Sequence, residues 1–351
     1  MTDRGWISAT DFEDGIAVTN LLPGPASTQL AILCAWHLRR RLGAVIGGIC
    51  FILPGLVAIL ALSVLFLSGH PAGWVQGAAA GAGAAIAAVA LNAALGLMPA
   101  SWTRIGSRWT ERGRWLLYAG VGGLVAAAGS PFLVLVLLAS GLTEVGIRVW
   151  SGRPRPRIRS YAALSVLASV GSVGGIGALI WEGFKVGALS YGGGFVIIPL
   201  MQADVVSVYH WLTNAQFLSS VALGQITPGP VVLTVAAVGY AAAGLGGGIL
   251  AAVVAFTPSF VFILLGAPYL DRVRAQRSAQ AFLTGAGAAA IGAIGGSAIP
   301  LALSLVQPWQ FGVLIGALAW LVVLRRNVVI GLLAAAAIGV AASLAGVPVG
   351  A

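Results

Sequence analysis

Charge is scarce in this sequence. Only 8% of its 351 residues are Asp, Glu, Lys or Arg, where a soluble globular domain carries about 25%. A surface facing water cannot be built from that supply. Acids are scarcest, nine against 19 basic residues, and no apolar segment holds two of them. An intramembrane enzyme built on paired acids is therefore a distant reading. Cysteine is limited to Cys34 and Cys50, each inside an apolar run with no partner at ligand spacing. Both read as small packing residues, and neither a metal nor a cofactor is expected. His37, His70 and His210 lie far apart at loop edges and offer no metal site or paired base. The first 13 residues are polar and do not read as a cleavable signal.

What the chain has in excess is apolar surface, 59% of its residues, with a mean hydropathy of +0.99 over the whole length. Its 50 glycines follow no triplet period and sit between long apolar runs, which excludes collagen and disorder. The expected fold class is an all-α polytopic membrane protein in contact with the lipid bilayer. A spanning helix needs about 20 apolar residues. Candidates run 14–36, 43–68, 74–98, 115–129, 131–147, 161–180, 182–202, 214–240, 246–270, 279–304, 308–324 and 327–346. About twelve crossings is the upper reading, because Ser130-Pro131 splits 115–147 into two short pieces. The basic residues cluster in loops: Arg39–Arg41, Arg104–Arg114, Arg148–Arg159, Arg272–Arg277 and Arg325-Arg326. Alternating sides puts every one of these loops on one face, the cytoplasmic one. The +10 charge is thus a topology signal, and no nucleic acid is expected as a partner.

Sliding the chain on itself gives a match at an offset of 205 and then 204. Trp6-Ile-Ser meets Trp211-Leu-Thr, Phe12 meets Phe217, and Pro23-Gly24-Pro25 meets Pro228-Gly229-Pro230. Further on, Pro54 meets Pro258 and Gly81–Ala85 meets Gly285–Ala289. Charges invert between the copies, basic loops facing neutral ones, as in inverted-topology transporters. Residues 1–147 then form a first repeat, 148–180 a basic linker with a connecting helix, and 181–351 the inverted second repeat. The first copy lacks a counterpart of the segment at 182–202, so one helix of that repeat is expected to be missing.

Each Pro-Gly-Pro falls inside an apolar segment, where two prolines must break a helix. Freed backbone survives in a membrane only when buried in protein or lining a cavity. A break also exposes a helix N-terminus, whose bare N–H groups suit an anion. Asn20, Ser27, Thr28 and Gln29 cluster at the first break, and Gln225, Thr227 and Thr234 at the second. A packing kink whose hydroxyls satisfy local carbonyls is the plainer alternative. Two breaks in equivalent positions favour a binding site made of these residues and Pro23, Gly24, Pro25, Pro228, Gly229 and Pro230. Gly192, Gly193 and Gly194, after Tyr191, allow either unwinding or close helix packing. Lys185 offers a charge to a dianion, or else pairs with Glu182 at i,i+3 near a helix end. Glu144 and Arg148 read as a surface pair, and Asp204 as the close of its helix on the cytoplasmic side, with proton coupling there as an option that no other residue supports.

Leu21-Leu-Pro-Gly-Pro-x-Ser-Thr-Gln29 resembles the chromate ion transporter family, as do Phe184-x-x-Gly187-x-x-Ser-Tyr-Gly-Gly-Gly194 and Gln225-x-Thr-Pro-Gly-Pro230. Pro199 and Trp211-Leu-x-x-x-x-Phe217 fit the same pattern. The resemblance implies a two-domain inverted-repeat carrier in the bacterial inner membrane that exports chromate by alternating access and confers chromate resistance. Coupling to ion gradients is implied too, with sulfate as counter-substrate, competitor or alternative cargo. Two departures stand out. The family's opening helix with a Phe-Gly-Gly-Pro element is absent, and Ala26 stands where Asn is frequent. A homodimer is compatible with this reading, which fixes no oligomeric state.

Overall fold

Apolar runs rich in Ala, Gly, Leu and Val find no water in hydrocarbon to pair with their backbone, so they close their hydrogen bonds within helices. The computed structural model describes residues 12, 15–16, 19, 24–67, 71–103, 105, 108–129, 132–150, 175–190, 195–267 and 276–349. Among these there is helix but no strand. In chain order the helices are α1 (Ala26–Phe66), α2 (Gly73–Ala84), α3 (Ile86–Thr103), α4 (Trp109–Ala127), α5 (Leu133–Trp150) and α6 (Ile176–Leu189). They continue as α7 (Ile197–Gln202, extended by a π-helix Ala203–Val208), α8 (Asn214–Ile226), α9 (Thr234–Gly266) and α10 (Arg277–Leu303). Last come α11 (Pro308–Leu318) and α12 (Val328–Leu344). Stretches Ala26–Phe66, Gly73–Thr103, Val231–Gly266 and Arg277–Leu303 are long and apolar enough to cross a membrane.

Local signals set the boundaries. Thr213 and Gln216 form a reciprocal capping box that starts α8, and the Asn327 side chain accepts from Val329 N–H to start α12. α1 and α9 are each two antiparallel arms joined by a two-residue bend. In α1 the bend is Arg39 (φ −143°, ψ 30°) and Arg40 (φ 50°, ψ −136°). In α9 it is Ala243 (φ −152°, ψ 30°) and Gly244 (φ 65°, ψ −159°). The two bends lie 204 residues apart in sequence and share one backbone geometry.

Packing relies on small residues, which let helix backbones meet. α4 lies along α10 with Gly292 against Ala119 and Gly296 against Gly123. Gly285 of α10 meets Ser140 of α5, and Gly81 of α2 meets Ala335 of α12. The last helices of each half therefore pack on the other half. Leu124, Leu303 and Val323 point outward, each more than 70% exposed; such a rim fits hydrocarbon rather than water.

The bundle has a neutral end and a basic end. Phe66, Pro71, Thr213, Ser304 and Gln310 line one cavity of about 490 Å³ at the neutral end. Ser343 donates to Gly73 O (2.8 Å) at that end. At the basic end Arg112 stacks over Trp102, and Arg114 pairs with Glu144.

Three segments expected as single crossings have another form. Lys185 of α6 reaches Leu200 O and Asp204 beyond α7, so α6 and α7 lie antiparallel. Gly224 near the end of α8 abuts Thr234 at the start of α9. A Cβ on Gly15 would lie 3.3 Å from Leu30 Cδ1 of α1. The described residues of 14–36 and 182–202, and the whole of 214–240, thus fold back on themselves rather than running as single rods. Strict alternation would put residues 203–213 with the arginines. They end instead at the neutral end, because the hairpin returns to the side it came from. Residues 161–174 of the expected connecting helix lie outside the described residues.

Candidate anion site at the helix breaks

Proline and glycine fix the shape of the turns. Gly24 has φ +117° and Gly229 φ +132°, a region that side chains with a Cβ rarely adopt. The prolines after them stay extended, Pro25 at φ −70° and Pro230 at φ −74°, and a helix follows each. Neither helix start has a side-chain cap. The first N–H used inside α1 is that of Gln29, which donates to Pro25 O (3.0 Å). The amides of Ala26, Ser27 and Thr28 therefore have no intrahelical acceptor. After the second turn Leu233 N–H donates to Pro230 O (2.9 Å), leaving Val231 and Val232 in the same condition.

Each turn docks on the other half of the molecule. Gly24 N–H donates to Ser190 O (3.0 Å), at the end of α6. Where Gly24 would carry a Cβ, Ser259 Oγ is 3.2 Å away and Gly187 O 3.3 Å away. The second turn mirrors this: the Gly229 Cβ position lies 3.7 Å from Gly55 Cα, and Pro228 O presses on Gly55. Gly55 follows Pro54 and Ser259 follows Pro258, so the two docking contacts are reciprocal.

Around the first turn the hydroxyls of Thr28, Ser190 and Ser259 are wholly buried and have no hydrogen-bond partner. Three buried hydroxyls and three helix-start amides without an intrahelical acceptor thus belong to the same turn and its docking partners, donor groups of the kind an anion can use. Gln29 is buried beside Gly24, whereas Ser27 is exposed. At the second turn Gln225 Nε2 is a buried donor without a partner. Thr227 and Thr234 behave as the packing alternative expects, donating to Leu223 O (2.9 Å) and Val231 O (2.8 Å). Pro228 and Gly229 are exposed, while Pro230 is buried. Asn20, Pro23, Gly192, Gly193 and Gly194 lie outside the described residues.

Lys185 is not beside the turns as an open cation. Its ammonium sits 2.7 Å from Glu182 Oε2, contacts Asp204 Oδ2 and donates to Leu200 O (2.9 Å). The i,i+3 pair with Glu182 is present, and Asp204 joins it from across the hairpin. Nor are Glu144 and Arg148 a surface pair. Glu144 is buried and receives Arg114 through Nε (2.9 Å) and a second nitrogen (3.1 Å), Arg148 Nε (2.8 Å) and the Tyr118 hydroxyl (3.3 Å). Among the described residues no three His, Cys, Asp or Glu side chains gather to hold a metal.

Ser190 stands inside the Phe184–Gly194 motif with no role assigned to it there, and Ser259 carried no sequence signal of its own. Ser259 was findable, since the offset that pairs Pro54 with Pro258 pairs Gly55 with Ser259.

The chain matches known proteins along most of its length. It is 34% identical over 313 residues to the chromate transport protein of Cupriavidus metallidurans, covering 85% of this chain and 74% of that protein. It is 31% identical over 316 residues to the chromate transport protein of Pseudomonas aeruginosa, covering 86% and 73%. A probable chromate transport protein of Synechococcus elongatus is 28% identical over 335 residues, covering 88% and 82%. No solved structure matches the chain. The model of the chromate transporter family matches residues 1–145 and 177–340, and on these grounds the chain belongs to the chromate transporter family.

Proposed function

We propose that this protein is a multi-pass carrier of the bacterial inner membrane that exports chromate by alternating access and so confers chromate resistance. The observation that carries this is the pair of uncapped helix starts at Gly24 and Gly229, each docked on the opposite half. Chromate is a tetrahedral dianion with a costly hydration shell to lose. A helix start contributes about 0.3–1 kcal/mol to a nearby anion, and up to about 2 kcal/mol when partly buried. Open amides and the hydroxyls of Thr28, Ser190 and Ser259 together offer several donors at once. Sulfate has the same shape and charge, so it remains the alternative cargo.

On this reading residues 1–147 and 181–351 are inverted-topology repeats joined by 148–180. The shared bend geometry at Arg39-Arg40 and Ala243-Gly244 supports it, as do the reciprocal contacts Gly24–Ser259 and Gly229–Gly55. The basic end faces the cytoplasm. The first Pro-Gly-Pro hairpin then enters from the cytoplasm and the second from outside, so their turns meet the cargo from opposite sides. The 490 Å³ cavity lined by Gln76, Gln216 and Gln310 at the neutral end is the outer vestibule.

The test is chromate accumulation in everted vesicles. Gly24→Leu and Gly229→Leu are expected to abolish uptake while the protein still inserts, and sulfate to compete. Wild-type uptake rates in both variants would overturn the site.

A further inference from the structure

Lys185 is the only lysine in the chain; beside three histidines, its other basic residues are arginines. Guanidinium keeps its proton throughout the physiological range, whereas an amine or a carboxyl can exchange one. This single lysine sits, 3% exposed, between two of the chain's nine acids, Glu182 at 0% and Asp204 at 15%. Two carboxylates and one ammonium leave a net charge of −1 inside the bundle. Glu182 Oε1 is wholly buried with no hydrogen-bond partner, and Oε2 meets the ammonium outside hydrogen-bond geometry. A carboxylate oxygen left bare in such a place lacks a partner, and a proton would supply one.

We propose that the Glu182–Lys185–Asp204 cluster is a protonation site linked to the anion pocket, so that proton uptake there tightens anion binding at the first turn. The proposal rests on the anion reading of that turn. The step is a transfer from hydronium to the Glu182 carboxylate, giving a neutral carboxylic acid and water, and it takes the cluster from −1 to zero. Asp204, the partly exposed member, is the point of entry from the neutral end. α6 is the physical link. It carries Lys185 and, two residues on, Gly187, whose carbonyl faces Gly24, and it ends on the Ser190 carbonyl that holds the Gly24 amide. A buried negative charge so placed repels a dianion, and its neutralisation removes the repulsion.

Other titratable groups near the cluster are few. Tyr209 follows the π-helix, its N–H donating to Asp204 O (2.7 Å) and its ring stacked on Trp211. α8 and α9 carry no charged residue, and α10 contributes only Arg277 at its far end. Glu144 and Arg148 of α5 are engaged with Arg114.

The test uses the purified full chain in detergent, with chromate titrated from neutral to alkaline pH, where the dianion predominates. Wild-type affinity is expected to fall about tenfold per pH unit as one linked proton is lost. A dye in weak buffer should report about one proton taken up per chromate bound. Glu182→Gln and Asp204→Asn, which neutralise the cluster without changing its shape, should bind tightly with a flat pH profile and no uptake. Wild-type binding that is flat with pH and takes up no proton overturns the proposal and leaves the anion site standing. An affinity set by sodium rather than pH overturns the assignment to a proton. Absence of chromate binding at every pH overturns the anion reading itself.

Discussion

At Gly24 and Gly229 the backbone takes a positive φ that disfavours any Cβ, and a Cβ there would crowd its neighbours. Ser259 Oγ lies 3.2 Å from the first position and Leu233 Cδ1 3.1 Å from the second. Arg40 occupies a strained conformation that its counterpart Gly244 takes freely, and such strain costs about 1–3 kcal/mol. Arg40→Gly is therefore expected to raise the melting temperature in detergent, and Gly244→Ala, whose Cβ meets nothing within 4 Å, to lower it. Glu144 answers to a different rule. Glu144→Gln leaves Arg114, itself 23% exposed, facing a neutral amide and should destabilise by about 1–3 kcal/mol. Arg148→Ala, at a side chain 37% exposed, should cost under about 1 kcal/mol. Thermal unfolding of the two variants side by side checks the contrast. The turns themselves were legible in the sequence, because proline and glycine impose backbone shape locally. The bare hydroxyls of Ser190 and Ser259 were not, since burial depends on what packs on a serine from far along the chain.

Helices α4 and α10 meet at a row of close glycine and alanine contacts, Gly122 on Ala289, Gly292 on Ala119 and Gly296 on Gly123. Gly292→Val thrusts a branched side chain into the Ala119 backbone, and overpacking of this kind costs about 1–3 kcal/mol. A drop in melting temperature is expected, while Gly312→Val, in open space on α11, should leave it unchanged. Hydropathy found these helices easily, because length and apolarity are all that it measures. It could not see that 214–240 turns back on itself. Two half-helices and one rod have the same composition, and the reversal becomes visible only when Gly224 meets Thr234.

For the molecule as a whole, the hairpins decide which residues share a face. Gln76→Cys and Ala215→Cys, in a chain with Cys34→Ser and Cys50→Ser, should both react with an impermeant maleimide added from outside. Straight crossings would put Ala215 on the cytoplasmic side and protect it. Labelling of one and not the other would refute the hairpin form of 214–240. The periodic placement of arginines made the basic face legible, yet alternation misassigned 203–213 because it assumes that every apolar run crosses.

The exchange of helices between halves bears on how the protein is made. Gly81 finds its partner, Ala335, only after a further 254 residues have been synthesised. At about 5–20 residues per second, that is a wait of some tens of seconds or less for a helix already in the bilayer. During that interval its glycine face has lipid or a chaperone for company. A ribosome stalled before residue 328 should thus yield a chain that is inserted yet quickly degraded. The two halves made as separate polypeptides should each survive only in the presence of the other.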